Sequence, residues 1–506
     1  MGDSLFYFKE EVIVEEKLLN IVATVNKYLT DYVLIILLIG IGLLFTIRTR
    51  FVQVRCFGEG MKKVFGNIKL RGGKQKGGLS SFQALATAIA AQVGTGNIVG
   101  ASGAILVGGP GAIFWMWIIA FFGMATIYAE AVLAQKTRVK DENGEIQGGP
   151  VYYIKTAFKG TFGKVLAAIF SISAILALGF MGSMVQSNSI AGSCNEAFGI
   201  PVWAIGLAVA AICAFIFIGG INRIASVTEK IVPLMATLFL VGGLVVLVLN
   251  WKVIPETIGM IFKYAFAPQA LLGGALGMAL KTAISQGAKR GLFSNEAGMG
   301  STPHAHAQAN VKNPHDQGVV AMIGVFIDTF VVLTMTALVV ISTLYAKGGI
   351  LSGLTGDAYL AATSGDAAIV TKATAMQAAM TNALPEWFGK AGSIFVAICL
   401  FFFAFSTIIS WNFFGKVNAL YLGNKNKKVT TLVYSIIAVG FVFLGSILSN
   451  DLVWELTDFF NYLMVIPNAI ALIALAKLVS KEAKDAKLRK QGKLVEEEKE
   501  EKAEIV

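Results

Sequence analysis

Charge is what this chain has least of. Only 14% of its 506 residues are Asp, Glu, Lys or Arg, against about 25% in soluble domains. Beside 56% apolar residues, that shortage excludes a large soluble core and points to a membrane class. Four cysteines (Cys56, Cys194, Cys213, Cys399) show no CxxC or metal-ligand spacing, which excludes a disulfide framework and predicts no zinc site. Cys213 and Cys399 lie inside apolar runs, where cysteine behaves as a small hydrophobe. Histidine is rarer still: His304 and His306 fall on different sides of a helix, so they predict no metal pair. The first thirty residues are acidic (Glu10, Glu11, Glu15, Glu16) and carry no basic leader of the secretory kind. Motifs of the HExxH and GxSxG type are missing, as are paired aspartates at catalytic spacing, so nothing argues for an enzyme. The net charge of +11 sits in short loops rather than on a basic face interleaved with aromatics, which argues against nucleic acid.

What the chain does have is long apolar runs. Several reach the ~20 residues a bilayer demands, and eleven spans are read, near 32–47, 79–107, 111–136, 163–189, 201–219, 231–250, 272–293, 318–346, 389–415, 430–448 and 453–477. The expected fold is therefore an all-α integral membrane protein with eleven transmembrane helices. The loop from Ile47 to Gly78 holds nine Lys/Arg and one acid, Glu59. By the positive-inside rule it is cytoplasmic, which puts the N-terminus outside and the C-terminus inside. Five segments follow: an amphipathic extracellular stretch (1–30), a leading helix with its basic loop (31–78), two five-helix groups (79–250 and 251–478), and a charged tail (479–506). The tail, basic first and then acidic, reads as a solvated cytosolic appendage. The two groups of five have opposite orientation, the arithmetic of an inverted repeat.

Seven glycines fall in the eighteen residues from Gly94 to Gly111. A helix in hydrocarbon must satisfy its own backbone, so a break is tolerated only beside protein or a cavity. Broken helices at the midplane are how secondary transporters expose backbone dipoles to a solute and its ions. Gly94-Thr95-Gly96-Asn97-Ile98-Val99-Gly100 is spaced GxGxxxG and follows no strand, so it is not a dinucleotide fingerprint. Close packing alone calls for glycines four apart on one face; alternating Gly94 and Gly96 look instead like opened backbone. Symmetry then requires a second break in the 272–293 span. Gly273-Gly274 with Gly277 is one candidate, and Gly291-Leu292-Phe293-Ser294-Asn295-Glu296-Ala297-Gly298 the better one, against a plain reading in which Ser294 caps a helix beginning at Glu296. With the break there, Lys281, Lys289 and Arg290 lie in the outer half, where they must snorkel or line a wet vestibule.

In the run Phe401 to Trp411, Ser406 and Thr407 sit mid-helix. Such hydroxyls commonly bond back one turn; the sharper reading is a sodium site built of neutral oxygens. Trp411, one turn past Thr407, is placed to wall a pocket. Glu130, Asp328 and Gln186 are polar groups inside spans. Glu130 reads equally as an ion-pair partner of nearby Lys136 or as a working group, and Asp328 as a proton site or a structural acceptor.

Gly94–Gly100, the stretch Gly108-Gly109-Pro110-Gly111-Ala112-Ile113-Phe114-Trp115-Met116-Trp117 and Arg290–Gly298 resemble the signature segments of the alanine/glycine:cation symporter family. The likeness runs from about residue 79 to about 420. It implies a LeuT-type architecture: one leading helix plus a five-plus-five inverted repeat with the first helix of each half broken. It implies a plasma-membrane importer of alanine or glycine coupled to Na⁺, with the bilayer and a small neutral amino acid as partners and no obligate protein partner. Carried onto this chain, Gly94, Thr95 and Gly96 would meet the substrate carboxylate through backbone N–H groups. Phe293, Ser294 and Asn295 would face it from the second break, Gln186 would contact the amino group, and Trp411 would limit side-chain size. Na⁺ would take the Ala90 and Val93 carbonyls with the Ser406 and Thr407 hydroxyls, and Asn97 would serve a second sodium. Coupling to H⁺ through Asp328 or Glu130 is the alternative within the class, and an ion channel the alternative outside it.

Overall fold

The structure is a computed structural model and describes residues 2–66, 78–140, 144–217, 220–364, 368–423 and 426–493. The basic stretch 67–77 and the acidic end of the tail, with Glu496 to Glu501, lie outside the described residues.

Apart from a two-residue antiparallel hairpin (Val139–Lys140 with Ile146–Gln147), the described residues are helical or irregular. The apolar helices are α1 (Glu15–Arg48), the pair α2 (Ser81–Gln92) and α3 (Gly96–Gly108), α4 (Ala112–Thr137), α5 (Gly160–Phe198), α6 (Val202–Phe217) and α7 (Arg223–Leu249). After them come α8 (Leu276–Asn295), the short α9 (Pro303–Ala307), α10 (Pro314–Tyr345), α11 (Ala391–Leu422), α12 (Lys427–Ile447), α13 (Asn450–Ala474) and α14 (Ala476–Lys490). Among the described residues, eight helices are long and apolar enough to cross a membrane, nine if the bent pair α2/α3 counts as one. The protein is thus a multi-pass membrane protein. Helix α6 is shorter, and α8 carries too many polar residues to pass on composition.

Burial sorts these helices. In α11, 72% of the most apolar window is buried, and in α10 67%; both run through the centre. Only 28% is buried in α7 and α12. Their exposed Leu234, Val241, Val248, Leu432 and Ile436 form the apolar outer face that hydrocarbon requires, since lipid covers what protein does not.

Helix α1 is longer than the sequence suggests. The helical backbone runs from Gly2 to Arg48 through a wider turn at Leu29–Leu34, so residues 15–30 are continuous with the leading helix. Asn26 donates to the Glu455 carboxylate of α13 at 2.6 Å. The tail also departs from expectation. Residues 476–490 form α14 and bury Val479, Glu482, Ala483 and Ala486, while Lys477, Lys481, Lys484 and Lys487 face out. The buried Glu482 carboxylate takes Lys136 of α4 at 2.7 Å and also pairs with Arg489.

Candidate functional site

Helix α2 starts with a capping box, in which Ser80 Oγ accepts from Gln83 N–H and Gln83 Oε1 from Ser80 N–H, each at 3.1 Å. Its other end carries no such residue. The chain leaves helical geometry at Val93 (φ −81°, ψ 85°) and resumes at Gly96, bending the axis by 46°. Asn97 closes the gap from inside: its Oδ1 accepts from Gly94 N–H at 3.0 Å. The second break lies where Ser294-Asn295-Glu296 suggests. Helix α8 ends at Asn295, Glu296 turns left-handed (φ 57°), and Gly298 (φ 92°) and Gly300 (φ 79°) carry the chain to α9. No helix begins at Glu296, so Ser294 is not a cap. Gly273 and Gly274, also at positive φ, form the turn ahead of α8 rather than a break within it.

The two breaks touch. A Cβ on Gly96 would stand 2.9 Å from Phe293 Cδ1 and 3.1 Å from Ser294 Cα, so only glycine permits the approach. Around the contact the polar groups of both breaks converge on α10. The Asp328 carboxylate accepts from Asn97 Nδ2 (2.6 Å), Ser294 Oγ (2.8 Å) and Thr329 Oγ1 (2.8 Å). Gln92 Nε2 reaches the Asn295 carbonyl at 2.7 Å, and Asn295 Oδ1 accepts from Ala297 N–H at 3.0 Å.

From α5, Gln186 Oε1 accepts the Thr95 N–H at 3.2 Å. Two of the three N–H groups expected to meet a carboxylate thus have partners within the chain, Gly94 and Thr95. The Gln186 Nε2 and Thr95 Oγ1 atoms are buried without a partner among the described residues. From α11, Thr407 Oγ1 lies 2.9 Å from the Ala90 carbonyl, 3.3 Å from that of Ala91 and 3.1 Å from that of Phe403. Ser406 Oγ lies 3.4 Å from Ala90 O and 2.9 Å from Phe403 O. A hydroxyl has one proton to give, so the back-bond along α11 and the bond across to α2 compete. The Val93 N–H remains on the ladder, bonded to Ile89 O at 2.7 Å, and among the described residues neither hydroxyl is hydrogen-bonded to the Val93 carbonyl. Trp411 is wholly buried, edge-on to Phe293 at 5.6 Å between ring centres.

Two carboxylates take partners that the sequence did not single out. Glu130 does not pair with Lys136. It accepts from Gly298 N–H (3.1 Å), Gly300 N–H (3.0 Å) and Asn468 Nδ2 (2.6 Å), and so fastens the loop after the second break to α4 and α13. Glu296 received no role from the sequence, yet its carboxylate accepts the Trp411 indole N–H at 2.6 Å and is hydrogen-bonded by Ser301. A signal existed: it is the one acid between Gly291 and Gly300.

Outside the Phe293–Trp411 edge, Lys289 pairs with Asp458 (2.7 Å) and Glu455 (2.9 Å), and Arg290 with Asp458 (3.3 Å). Arg290 also lies over the Trp454 ring at 4.3 Å. Lys289, Arg290, Trp454 and Glu455 line a cavity with Val99, Gly100 and Gly103, while Lys281, half exposed, pairs with Asp31 at 2.7 Å. All three cations of α8 are held by acids, and two of them, Lys289 and Arg290, line that cavity.

Comparison with known proteins decides the family. A profile of the sodium:alanine symporter family matches residues 15–502. The chain belongs to that family. The symporter is 40% identical over 468 residues to the sodium/alanine symporter AgcS of Methanococcus maripaludis, covering 92% of this chain and 96% of AgcS. It is 39% identical over 481 residues to the putative sodium/proton-dependent alanine carrier protein YrbD of Bacillus subtilis, covering 94% and 93%. Among solved structures, MhsT in complex with L-phenylalanine superposes with a TM-score of 0.53 at 15% identity, over 81% of the symporter and all of MhsT. The symporter therefore shares the overall helical fold of MhsT, and as a family member it is a transporter rather than an enzyme.

Proposed function

We propose that this protein imports alanine and/or glycine together with Na⁺ by alternating access around the point where the two breaks meet. The bundle it uses has eleven spans: a leading helix and two inverted five-helix repeats, 79–250 and 251–478. The N-terminus lies outside and the C-terminus in the cytoplasm, across the plasma membrane.

One observation carries the reading. The Thr95 N–H, at the start of the resumed helix, is held by a buried glutamine whose other amide atom has no partner among the described residues. A zwitterion resolves both, since its carboxylate is also an acceptor for Gln186 Nε2, which can only donate. Its carboxylate takes the N–H groups of Thr95 and Gly96 at the positive end of α3. Gln186 Oε1 is then free to accept from the ammonium. Neither end needs a buried counter-charge, and Phe293 with Trp411 would limit the side chain to a small one. Na⁺, a hard cation served by oxygen, takes the Ala90 and Val93 carbonyls with Ser406 and Thr407, and a second sodium position uses Asn97. Both ions and substrate organise the same unwound segment, so each stabilises the arrangement the other needs. A membrane potential adds about 2.3 kcal/mol per charge per 100 mV.

Proton coupling is the second reading, favoured by the Asp328 carboxylate lying between both breaks; YrbD bears a sodium/proton-dependent name. Labelled alanine uptake into proteoliposomes, under separate inward gradients of Na⁺ and H⁺, decides between them. Accumulation driven by Na⁺ alone supports the first reading, H⁺-driven accumulation the second, and no alanine uptake under either gradient overturns the substrate.

A further inference from the structure

We propose that Cys56, Glu59 and His315 form a binding site for a thiophilic divalent cation of the Zn²⁺ class, at the end of the bundle that carries the basic loops. The spacing of the cysteines predicts no such site, because its parts come from distant segments. Cys56 joins the short turn Val52–Arg55 to the helix Phe57–Phe65, Glu59 stands on that helix, and His315 is the second residue of α10. One ligand atom from each, a thiol sulfur, a carboxylate oxygen and an imidazole nitrogen, all fall within 4.8 Å of one another. His315 Nε2 is already 3.3 Å from Glu59 Oε2.

The surroundings suit a metal ligand. His315 Nδ1 lies 2.8 Å from the hydroxyl of the fully buried Tyr128. With Nδ1–H donating to that oxygen, the ring is fixed and Nε2 offers its lone pair to the cluster, the outer-shell arrangement of metal-binding histidines. Three ligands of the S, N and O kinds with a fourth position open to water make a usual zinc donor set. Sodium, which prefers oxygen alone, fits poorly.

The plain alternative is an ion pair. Glu59 is bonded by Lys490 from the end of α14 and lies 3.9 Å from Lys63. An ion pair needs neither a buried thiol nor an oriented imidazole aimed at the same point. The Lys490 ammonium instead occupies the place of a cation. Metal entry releases the Cys56 thiol proton to solvent and the ammonium from Glu59; thiolate, carboxylate and neutral imidazole then balance the divalent charge.

The test uses the full chain, purified in detergent through a tag without histidines and stripped with a chelator. Zn²⁺ is titrated against a chromophoric competitor, and Co²⁺ reports thiolate ligation by its charge-transfer absorption. A single equivalent is expected to bind. Cys56→Ser should weaken binding roughly tenfold or more and abolish the Co²⁺ band, and Glu59→Gln should weaken it with the band retained. Lys490→Gln should tighten it, because the competing ammonium is gone. No stoichiometric Zn²⁺ binding, or affinity unmoved by both Cys56→Ser and Glu59→Gln, overturns the site; unchanged affinity in Lys490→Gln overturns the exchange.

Discussion

The indole N–H of Trp411 donates to the buried Glu296 carboxylate at 2.6 Å. The middle of α11 is thereby tied to the residue at which α8 ends. Glu296 holds a left-handed conformation that costs a non-glycine residue about 1–3 kcal/mol, and bonds from Trp411 and Ser301 offset that strain. The wall facing Phe293 is thus positioned by a carboxylate behind it.

Glu296→Ala should free the indole and broaden selectivity toward larger side chains, as Trp411→Ala should also do. Glu296→Gln, which retains an acceptor, should do so less. A hydrogen bond contributes about 0.5–1.5 kcal/mol, enough to shift inhibition of alanine uptake by valine or leucine several-fold. An unchanged inhibition profile in Glu296→Ala would show that the wall stands without its anchor.

Thr407→Ala removes a hydroxyl 2.9 Å from the Ala90 carbonyl. The sodium concentration for half-maximal uptake should rise roughly tenfold, equivalent to about 1.4 kcal/mol. Sodium titration of alanine uptake in proteoliposomes checks it, and an unmoved midpoint removes Thr407 from the ion site.

Gly96→Val should abolish transport while leaving membrane insertion intact. The added carbons meet Phe293 and the Ser294 backbone, and backbone cannot step aside. Wild-type uptake by this variant would mean the breaks need not touch.

Asp328→Asn puts an amide where three donors converge, from Asn97, Ser294 and Thr329. The new N–H can be met only if the Ser294 or Thr329 hydroxyl turns to accept instead of donate, which rearranges the contact between the breaks. Sodium-driven uptake should fall by an order of magnitude or more, about 1.4 kcal/mol per tenfold. Full sodium-driven uptake would show that the charge is dispensable.

Asp458→Asn leaves Lys289 and Arg290 short of a buried partner. Loss of one member of a buried pair costs about 3–5 kcal/mol; Glu455 still bonds Lys289, so the lower end is expected. Thermal unfolding in detergent reads the loss, and an unshifted midpoint would mean the pair adds nothing to stability.

The first break was legible because glycine composition is a local property: Gly94 and Gly96 interrupt an apolar run by themselves. Ser406 and Thr407 were visible for the same reason, as hydroxyls amid phenylalanines. What composition cannot give is a partner. Glu130 finds its backbone donors 168 and 170 residues away, and Trp411 its carboxylate 115 residues away; neither leaves a mark on its own neighbours. Lys136, only six residues from Glu130, looked like the nearer match, yet α14 supplies it with Glu482 instead. The tail misled through charge. Its lysines recur along one side, and the small residues between them, Val479, Ala483 and Ala486, make a face narrow enough to pass for none.

Gly182 on α5 packs so closely against Trp411 that a single methyl group there would collide with the ring. The two positions are therefore not free to drift apart over generations. A descendant that keeps the indole can accept no larger residue at 182, and one that loses it still meets the Ala177 carbonyl there, 2.6 Å from that methyl. Position 182 is held by its own helix as well as by the ring, so this lineage can rewrite its substrate range at 411 only while glycine stays in place at 182.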